Sequence, residues 1–306
     1  MKVSVIMPVE RIGGDAERAT RSILDQKVPF PFELIVISAP PVAAAGDNRV
    51  RNVLVEDRNP ATRRNRAVSV AQGEILAFMD DDAQAAPDWL ATAVAYLDRH
   101  PDVAALGGPD PAPDDSTMAE LISDILLATP WIGSGVAAHE NRRGVFDIQS
   151  PSDIALVNLF VRKIAFTGFD ESIGYIGEDT ALIESLMRSA RVVYHDGVRV
   201  FHRRRAFPGP YLRQRWRYRV KTGEMLVRGS SANRSKVIAF LIVATCATLL
   251  APVVAIPYAI ATLILSSRST RLPASERWRI PLAFAAHHLT YYFGILWGMV
   301  RGITRR

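Results

Sequence analysis

The chain has 306 residues, 49% of them hydrophobic, a length and composition that allow one α/β domain with an appended segment and exclude a disordered chain. Its charges are distributed unevenly: residues 1–201 contain 29 of the 31 acidic residues, whereas residues 202–306 contain 18 of the 37 basic ones. The basic residues stand beside long apolar runs. We therefore expect them to bind anionic lipid headgroups, and we expect no nucleic-acid partner.

Cysteine usage and the start of the chain give two further expectations. Cys246 is the only cysteine and lies in an apolar run, so neither a disulfide framework nor a cysteine metal cluster can form. The first apolar run, Val3–Met7, has the length of a strand and ends at Pro8, which is too short for a secretory signal peptide. We therefore expect the N-terminal domain to stay in the cytoplasm.

Short β-rich runs alternate with helical patterns through the first hundred residues. This alternation predicts strands over 3–7, 33–37, 50–55 and 74–79, and helices over 15–26, 61–72 and 87–99. The run 74–79 is apolar on both faces, which is typical of a central strand. Strands and helices in this order predict an α/β fold with a mostly parallel central sheet.

The rest of this domain has a less regular pattern. A turn-rich segment, 107–115, precedes a predicted helix over 118–127, and residues 132–152 have a loop-like composition. The further predicted elements are a strand over 154–161, a helix over 180–189, and strands over 192–194 and 198–201.

Two apolar runs dominate the C-terminal part. Residues 237–265 contain no charge, and residues 281–300 contain only His287 and His288 as ionisable groups. Each run is long enough to cross a hydrocarbon layer of about 30 Å, which predicts C-terminal transmembrane helices; buried core helices are the alternative. Prolines at 252 and 257 leave a broken helix, a hairpin and a tilted span open for the first run. The predicted division is a first domain over 1–228 and a basic juxtamembrane and transmembrane region over 229–306.

Basic clusters flank both apolar runs, and the positive-inside tendency would place all of them in the cytoplasm. A hairpin or re-entrant shape for at least one run agrees with that tendency, and an in-out-in pair is the alternative. The preceding segment, Arg213–Lys221, alternates basic residues with Trp216 and Tyr218, which is typical of a membrane interface. We therefore expect an integral protein of the cytoplasmic membrane whose first domain faces the cytoplasm.

Three consecutive carboxylates, Asp80, Asp81 and Asp82, follow the predicted central strand. They emerge at its carboxyl end, the edge at which open α/β sheets bind ligands. In extended chain Asp80 and Asp82 share a face, so both can bind one hard cation such as Mg²⁺ or Mn²⁺. The alternative is that these residues only favour the start of the helix at Pro87.

A second acidic pair, Glu178 and Asp179, follows Gly177 at the start of a predicted helix. A carboxylate at this place could be the base that transfer of a group to a hydroxyl requires. Acidic residues are also common at helix N-termini for electrostatic reasons alone, so the pair by itself is not decisive.

His202 follows the strand predicted over 198–201 and begins the run His202–Arg205. Its imidazole could add a metal ligand, and the guanidinium groups of the run match phosphate oxygens. A histidine at a strand end, beside a solvated or membrane-facing basic run, is an equally good interpretation of the same residues.

Several short motifs occur in one order along residues 1–225. They are Val3–Pro8, Arg64-Asn65 ahead of Gly73-Glu74, Phe78–Asp82, Gly168–Glu171, Gly177–Asp179 and Val200–His202. In this order they resemble the family 2 glycosyltransferases, which are inverting enzymes of the GT-A fold. Gly107–Pro109, Gly133–Gly135, Asn158 and Arg162 are similar to a membrane-bound bacterial branch of that family.

The resemblance implies a site for a nucleotide-diphosphate sugar. It implies a DxD-type metal-diphosphate site at Asp80–Asp82, a further metal or diphosphate contact at His202, and Asp179, beside Glu178, as the catalytic base. The residues that it implies around the nucleotide sugar are Pro8, Val9, Glu10, Ser38, Arg64, Asn65, Asp80 and Asp81. Many relatives carry an Asp that contacts the nucleotide base where this chain has Ser38-Ala39-Pro40-Pro41, and Ser38 is the candidate substitute.

A second departure concerns processivity. Processive polysaccharide synthases of the family carry Gln-x-x-Arg-Trp, whereas this chain has Gln214-Arg215-Trp216 without the needed spacing. The sequence therefore favours an enzyme that adds a single sugar.

The sequence thus predicts an inverting, metal-dependent glycosyltransferase of cell-envelope glycan biosynthesis that acts on a hydroxyl of a lipid-linked or glycan acceptor. A polyprenyl-phosphate sugar transferase is the nearest alternative, because only the acceptor differs. A catalytically inactive membrane scaffold is an alternative from another class. A nucleotidyltransferase agrees less well with the sequence, because Gly13-Gly14 is a meagre candidate for its phosphate loop.

Overall fold

The computed structural model describes residues 2–9, 13–38, 46–129, 142–173, 176–227, 234–249, 251–266 and 272–304. Several parts of the sequence predictions lie outside the described residues: Glu10 of the nucleotide site, residues 39–41 after Ser38, Gly133–Gly135 of the family resemblance, and residues 132–141 of the segment predicted to be loop-like. Four arginines of the C-terminal basic clusters also lie outside them, namely Arg268, Arg271, Arg305 and Arg306.

The larger sheet has eight strands in the spatial order β3-β2-β1-β4-β8-β6-β9-β7, and β5 and β10 form a separate antiparallel pair. The strands are β1 (Val3–Pro8), β2 (Phe32–Ser38), β3 (Val50–Leu54), β4 (Ile75–Phe78), β5 (Ala83–Ala85), β6 (Val103–Gly107), β7 (Val145–Asp147), β8 (Leu159–Arg162), β9 (Arg191–His195) and β10 (Val200–His202). Neighbours from β3 to β4 run parallel, whereas β8 and β7 run antiparallel to their partners. The predicted α/β fold with a mostly parallel sheet is confirmed.

The chain divides into two compact units, which do not follow the predicted boundary at residue 228; that boundary stays a prediction. Unit 1 consists of Met1–Pro113 and Val136–Arg203, and unit 2 of Asp114–Gly135 and Arg204–Arg306. The helices of unit 1 are α1 (Gly14–Leu24), α2 (Pro60–Val70), α3 (Trp89–Arg99) and α5 (Glu178–Ser189). Those of unit 2 are α4 (Met118–Ala128), α6 (Gly209–Val227), α7 (Arg234–Leu249), α8 (Ala251–Ser266) and α9 (Arg279–Thr304).

The core of unit 1 lies on both faces of the sheet. Along β4, Ile75 and Ala77 join one buried cluster, while Leu76 and Phe78 join the cluster on the opposite face. Successive side chains of a strand point to opposite faces, so a strand that is apolar throughout must be covered twice. The structure accordingly places β4 between β1 and β8, in the interior of the sheet, as predicted.

Three strands were missed in the sequence, and each is short or lies next to irregular chain. They are β5, β6 and β7; the last of these lies in the segment predicted to be loop-like. The strand predicted over 154–161 begins only at Leu159, because single turns of 3-10 helix occupy Pro151–Asp153 and Leu156–Asn158. Short apolar runs cannot be divided between strand and turn by periodicity alone.

The prediction of C-terminal transmembrane helices is not supported. Among the described residues, no helix combines the length and the apolar character that crossing a bilayer requires. Within the described residues, α7 and α8 cover most of the run 237–265. The run 281–300 lies within α9, whose polar side chains include His287, His288 and Thr290.

Within unit 2, α6 and α9 approach closely at glycines. A Cβ atom added at Gly298 would lie 2.0 Å from the carbonyl oxygen of Val220, and one at Gly223 would lie 2.1 Å from that of Ile295. The two backbones are therefore almost in contact. Closer to the N-terminal ends of the same two helices, Tyr211 of α6 and His287 of α9 are buried and form a hydrogen bond of 2.7 Å.

Candidate active site

Two aspartates and a histidine converge at the carboxyl end of β4. One ligand atom each from Asp80, Asp82 and His202 can be chosen so that all three lie within 4.8 Å of one another. Nε2 of His202 lies 3.1 Å from Oδ1 of Asp82. The predicted metal ligands, distant in sequence, are thus brought together.

Backbone pairing holds this cluster. The antiparallel pair aligns His202 of β10 with Ala83 of β5, the residue directly after Asp82. The amide of Arg203 donates to the carbonyl oxygen of Asp82 at 3.1 Å. The spacing of Asp82 and His202 is therefore set by main-chain hydrogen bonds as well as by their side chains.

Arg64 of α2 connects the two acidic motifs. Its guanidinium lies 2.9 Å from Oε1 of Glu178 and 3.5 Å from Oδ1 of Asp80, and its side chain is only 10% exposed. One buried cation therefore lies between carboxylates that are about a hundred residues apart in the chain. The Asp80–Asp82 motif and the Glu178-Asp179 motif lie on the same side of unit 1.

The charges of these groups affect one another. Desolvation, the largest influence, raises the pKa of the Asp80 carboxyl; Arg64 opposes this rise, and Asp82 and Asp179 add to it. Burial is also the main cause that raises the pKa of Glu178, with Asp179 adding to the rise and Arg64 opposing it. Carboxylates gathered in this way destabilise one another's charged forms, and a bound cation would relieve that repulsion.

The two residues of the second acidic motif have different surroundings at the start of α5. Glu178 is 7% exposed and paired with Arg64, whereas Asp179 is only partly buried. Oδ1 of Asp179 accepts a hydrogen bond of 2.7 Å from the amide of Thr180. Within the described part of the chain, Oδ2 of Asp179 has no hydrogen-bond partner.

Asn65 is engaged in holding a loop. Its amide nitrogen donates to the carbonyl oxygen of Phe169 at 2.9 Å and to Oε1 of Glu171 at 2.8 Å, and its oxygen accepts from the amide of Phe169 at 2.9 Å. Phe169 is buried and its ring makes an edge contact with Phe78 at 5.4 Å. Asn65 thus fixes the segment that the resemblance identified at Gly168–Glu171.

Other residues predicted to surround the nucleotide sugar lie at the same edge of the sheet, since β1 and β2 are parallel to β4. Pro8 ends β1 and is followed by the buried Val9, whose carbonyl oxygen accepts from Arg63 at 3.1 Å. Ser38 ends β2; it is buried, and its hydroxyl has no hydrogen-bond partner among the residues described. Asp81 lies in the turn after Asp80.

Asp110 was missed in the sequence. It is fully buried, and its Oδ2 lies 3.1 Å from Nδ1 of His202, on the side of the ring opposite Asp82. The sequence signal nearest to it is Gly107–Pro109, in the turn-rich segment 107–115, which carries part of the family resemblance.

The donor set fits a divalent metal ion. Carboxylate oxygens are the preferred ligands of Mg²⁺ and Mn²⁺, and imidazole can complete such a site. Asp80, Asp82 and His202 are all partly exposed, which would leave positions for water or for oxygens of a substrate.

Comparison with known proteins agrees with this geometry. The model of the family named Glycosyl transferase family 2 matches residues 4–142, a little under half of the chain. Residues 4–142 are therefore similar to a family 2 glycosyltransferase domain.

Individual relatives are distant. A glucosyl-dolichyl phosphate glucuronosyltransferase of Haloferax volcanii is 38% identical over 53 residues, which is 17% of this chain and 17% of that protein. The mannosyltransferase PcManGT from Pyrobaculum calidifontis, solved in complex with GDP-Man and Mn²⁺, superposes with a TM-score of 0.55 at 19% identity, covering 100% of this chain and 88% of that one. TarS of S. aureus gives a TM-score of 0.51 at 15% identity, covering 97% of this chain and 55% of that one. These two structures support the GT-A fold.

Proposed function

We propose that this protein transfers a sugar from a nucleotide-diphosphate sugar to a hydroxyl of a lipid-linked acceptor, one sugar at a time, with inversion and with a divalent metal ion. The observation that carries the proposal is the position of Arg64, which contacts both Asp80 and Glu178. Because of these two contacts, the proposed metal ligand Asp80 lies close to Glu178 and to the adjacent Asp179, the proposed base.

The transfer needs a single displacement. Asp179 accepts the proton of the acceptor hydroxyl, whose oxygen bonds to the anomeric carbon while the bond from that carbon to the diphosphate oxygen breaks. Attack from the face opposite the diphosphate inverts the anomeric configuration. Thr180 keeps Oδ1 of Asp179 occupied, so Oδ2 receives the proton. Glu178 takes no proton from the acceptor and instead holds Arg64 in place.

A metal ion held by Asp80, Asp82 and His202 would supply Lewis-acid stabilisation of the departing diphosphate. The solved mannosyltransferase with Mn²⁺ and GDP-Man supports both a metal and a nucleotide-sugar donor by analogy of fold. Pro8, Val9, Ser38 and Asp81 lie at the same edge of the sheet and form the proposed wall of the donor site. Glu10 and Asn65 remain predicted contacts of the nucleotide.

Two observations support a lipid-linked acceptor and a position at the cytoplasmic membrane, with the glycosyltransferase domain in the cytoplasm. Large apolar side chains of α7, α8 and α9 are exposed, and contiguous apolar surface marks interaction sites with lipid or protein. One distant relative is named for a glucosyl-dolichyl phosphate substrate, although the match covers only 17% of it.

The variant Asp179→Asn tests the proposal. We expect it to lose transfer by at least about a hundredfold, the effect of removing a general base, while it still binds the nucleotide sugar. The assay incubates the full-length protein with labelled nucleotide sugars and membrane lipids, and measures released nucleoside diphosphate and label extracted into organic solvent. Asp102→Asn, which changes an exposed carboxylate just before β6, is the matched control.

Transfer at the wild-type rate by Asp179→Asn would overturn the assignment of the base. Label that stays entirely in the aqueous phase would contradict the lipid-linked acceptor. Mass spectrometry of the extracted product separates the two acceptor chemistries, because a sugar attached to a lipid phosphate would favour the polyprenyl-phosphate alternative.

A further inference from the structure

We propose that Asp110 is a positioning residue for the metal site: it accepts a hydrogen bond from Nδ1–H of His202 and so holds the ring with Nε2 toward the proposed metal ligands Asp80 and Asp82. This inference rests on the proposed metal site and adds a residue that the family resemblance did not include. It begins from the burial of Asp110, which has no exposed surface although it is a carboxylate.

His202 lies between two carboxylates. Nδ1 is 3.1 Å from Oδ2 of Asp110, and Nε2 is 3.1 Å from Oδ1 of Asp82. A neutral imidazole carries its proton on one nitrogen only, and the partner of that nitrogen decides which tautomer is present. Both carboxylates are acceptors at the same distance from the ring. A metal ion held by Asp82 would replace a proton at Nε2, whereas the buried Asp110 keeps the proton at Nδ1.

The main chain makes this arrangement rigid. The segment Pro109–Pro111 runs along β10, where the amide of Val200 donates to the carbonyl oxygen of Pro109 at 3.2 Å and the amide of His202 donates to that of Pro111 at 2.9 Å. These two bonds bracket Asp110. β10 therefore lies between β5, which Asp82 directly precedes, and the segment that contains Asp110.

Two further features fix the segment. A Cβ atom added at Gly108 would lie 1.9 Å from the carbonyl oxygen of Val198, so only glycine allows the chain to pass there. The buried Asn158 donates to the carbonyl oxygens of Pro109 at 3.1 Å and Val198 at 2.7 Å. The residues Gly107–Pro109 and Asn158, which the glycosyl transfer itself does not use, thus have a role in placing Asp110.

Asp110→Asn tests the inference, because the amide keeps the size of the side chain but can donate to Nδ1 and so favour a proton on Nε2. Removing the partner of a metal-ligating histidine typically weakens metal binding by about 10- to 100-fold. We expect that loss when Mn²⁺ binding to the full-length protein is measured by electron paramagnetic resonance of the free ion. Asp102→Asn is the control and should bind Mn²⁺ within about twofold of the wild type.

A double-mutant comparison separates action through His202 from a direct effect of the charge. His202→Ala should weaken Mn²⁺ binding on its own, and adding Asp110→Asn to it should cause no further loss. Two results would overturn the inference while leaving the proposed metal site intact. One is that Asp110→Asn binds Mn²⁺ with wild-type affinity. The other is that Asp110→Asn lowers the Mn²⁺ affinity equally in the wild-type and the His202→Ala background. A wild-type protein that binds no Mn²⁺ would overturn both.

A second measurement needs no variant of Asp110. In the Mg²⁺-loaded protein with ¹⁵N-labelled histidine, nitrogen NMR should show His202 protonated on Nδ1 and not on Nε2; the His202→Ala spectrum assigns the signal. A proton on Nε2 in that state would contradict the inference even if Asp110→Asn failed to fold.

Discussion

Arg64 is the residue on which the geometry of the two acidic motifs depends. It is the buried cation between Asp80 and Glu178, and its guanidinium also lies 5.7 Å from the centre of the Phe169 ring. The sequence showed Arg64 only as part of an Arg-Asn pair. Its contacts with two acidic motifs depend on the packing of α2 against β1 and β2.

Arg64→Ala should destabilise the fold. Breaking a buried ion pair leaves an uncompensated charge on Glu178, which costs about 3–5 kcal/mol. Urea unfolding at neutral pH measures the loss. Arg18→Ala, which breaks the exposed pair with Asp15 in α1, is the control and should change stability by less than about 0.5 kcal/mol.

The loss in Arg64→Ala should depend on pH in a defined direction. Burial raises the pKa of Glu178 above its ordinary value of 4.5, so protonation favours the folded state. That contribution is present below pH 4.5 and disappears as the pH rises through the raised pKa. Without Arg64, the charged form of the buried Glu178 carboxylate is destabilised further, whereas its protonated form is affected less. The stability of the variant should therefore approach that of the wild type in acid. A loss that is the same at acid and neutral pH would contradict this account.

At the scale of the element, the contact between α6 and α9 depends on glycine. A Cβ atom at Gly298 has no room beside Val220, whereas one at Gly302 would lie 3.3 Å from its nearest neighbours. The sequence predicted a membrane-interface segment at Arg213–Lys221 and an apolar span at 281–300. In the structure these parts of the chain form two helices of unit 2 that pack directly on each other.

Gly298→Ala should push α6 and α9 apart. Overpacking of this kind costs about 1–3 kcal/mol, which outweighs the gain of up to about 1 kcal/mol from the higher helix propensity of alanine. Thermal unfolding of the full-length protein measures the effect. Gly302→Ala, in the same helix, is the control, and a stability equal to that of the wild type is expected; an equal loss in both variants would mean that the close contact is not the cause.

For the whole molecule, the notable feature is the apolar surface of unit 2. Val253, Ile256 and Ile260 of α8 are 74%, 71% and 52% exposed, and they recur at spacings of three and four residues, which places them on one face of the helix. Phe293 and Trp297 of α9 are also half exposed. A unit that is both apolar on its surface and strongly basic matches an anionic lipid surface.

Replacing Ile256 and Ile260 by glutamate should weaken binding to vesicles of phosphatidylglycerol and phosphatidylcholine. Each buried isoleucine contributes about 1.5–3 kcal/mol, so the partition coefficient should fall at least about tenfold in co-sedimentation. Ile164→Glu is the control, since Ile164 is 96% exposed but belongs to unit 1. Binding of the double variant equal to that of the wild type would contradict a lipid-binding role for this face of α8.

The sequence by itself determined the α/β fold and the position of β4, because a run that is apolar at every residue must be covered on both faces. The order of its short motifs also predicted the similarity of residues 4–142 to the family 2 glycosyltransferases. The local sequence alone identifies Asp80, Asp82, Asp179 and His202 as candidate site residues.

Only the tertiary structure decided which of these groups meet. Arg64 between the acidic motifs, Asp110 behind His202, and the close contact of α6 with α9 all join residues far apart in the chain, and no local pattern encodes such distances. The apolar C-terminal runs show the same limit. Apolar content records that a segment avoids water, but it does not show whether lipid or other parts of the protein cover that segment.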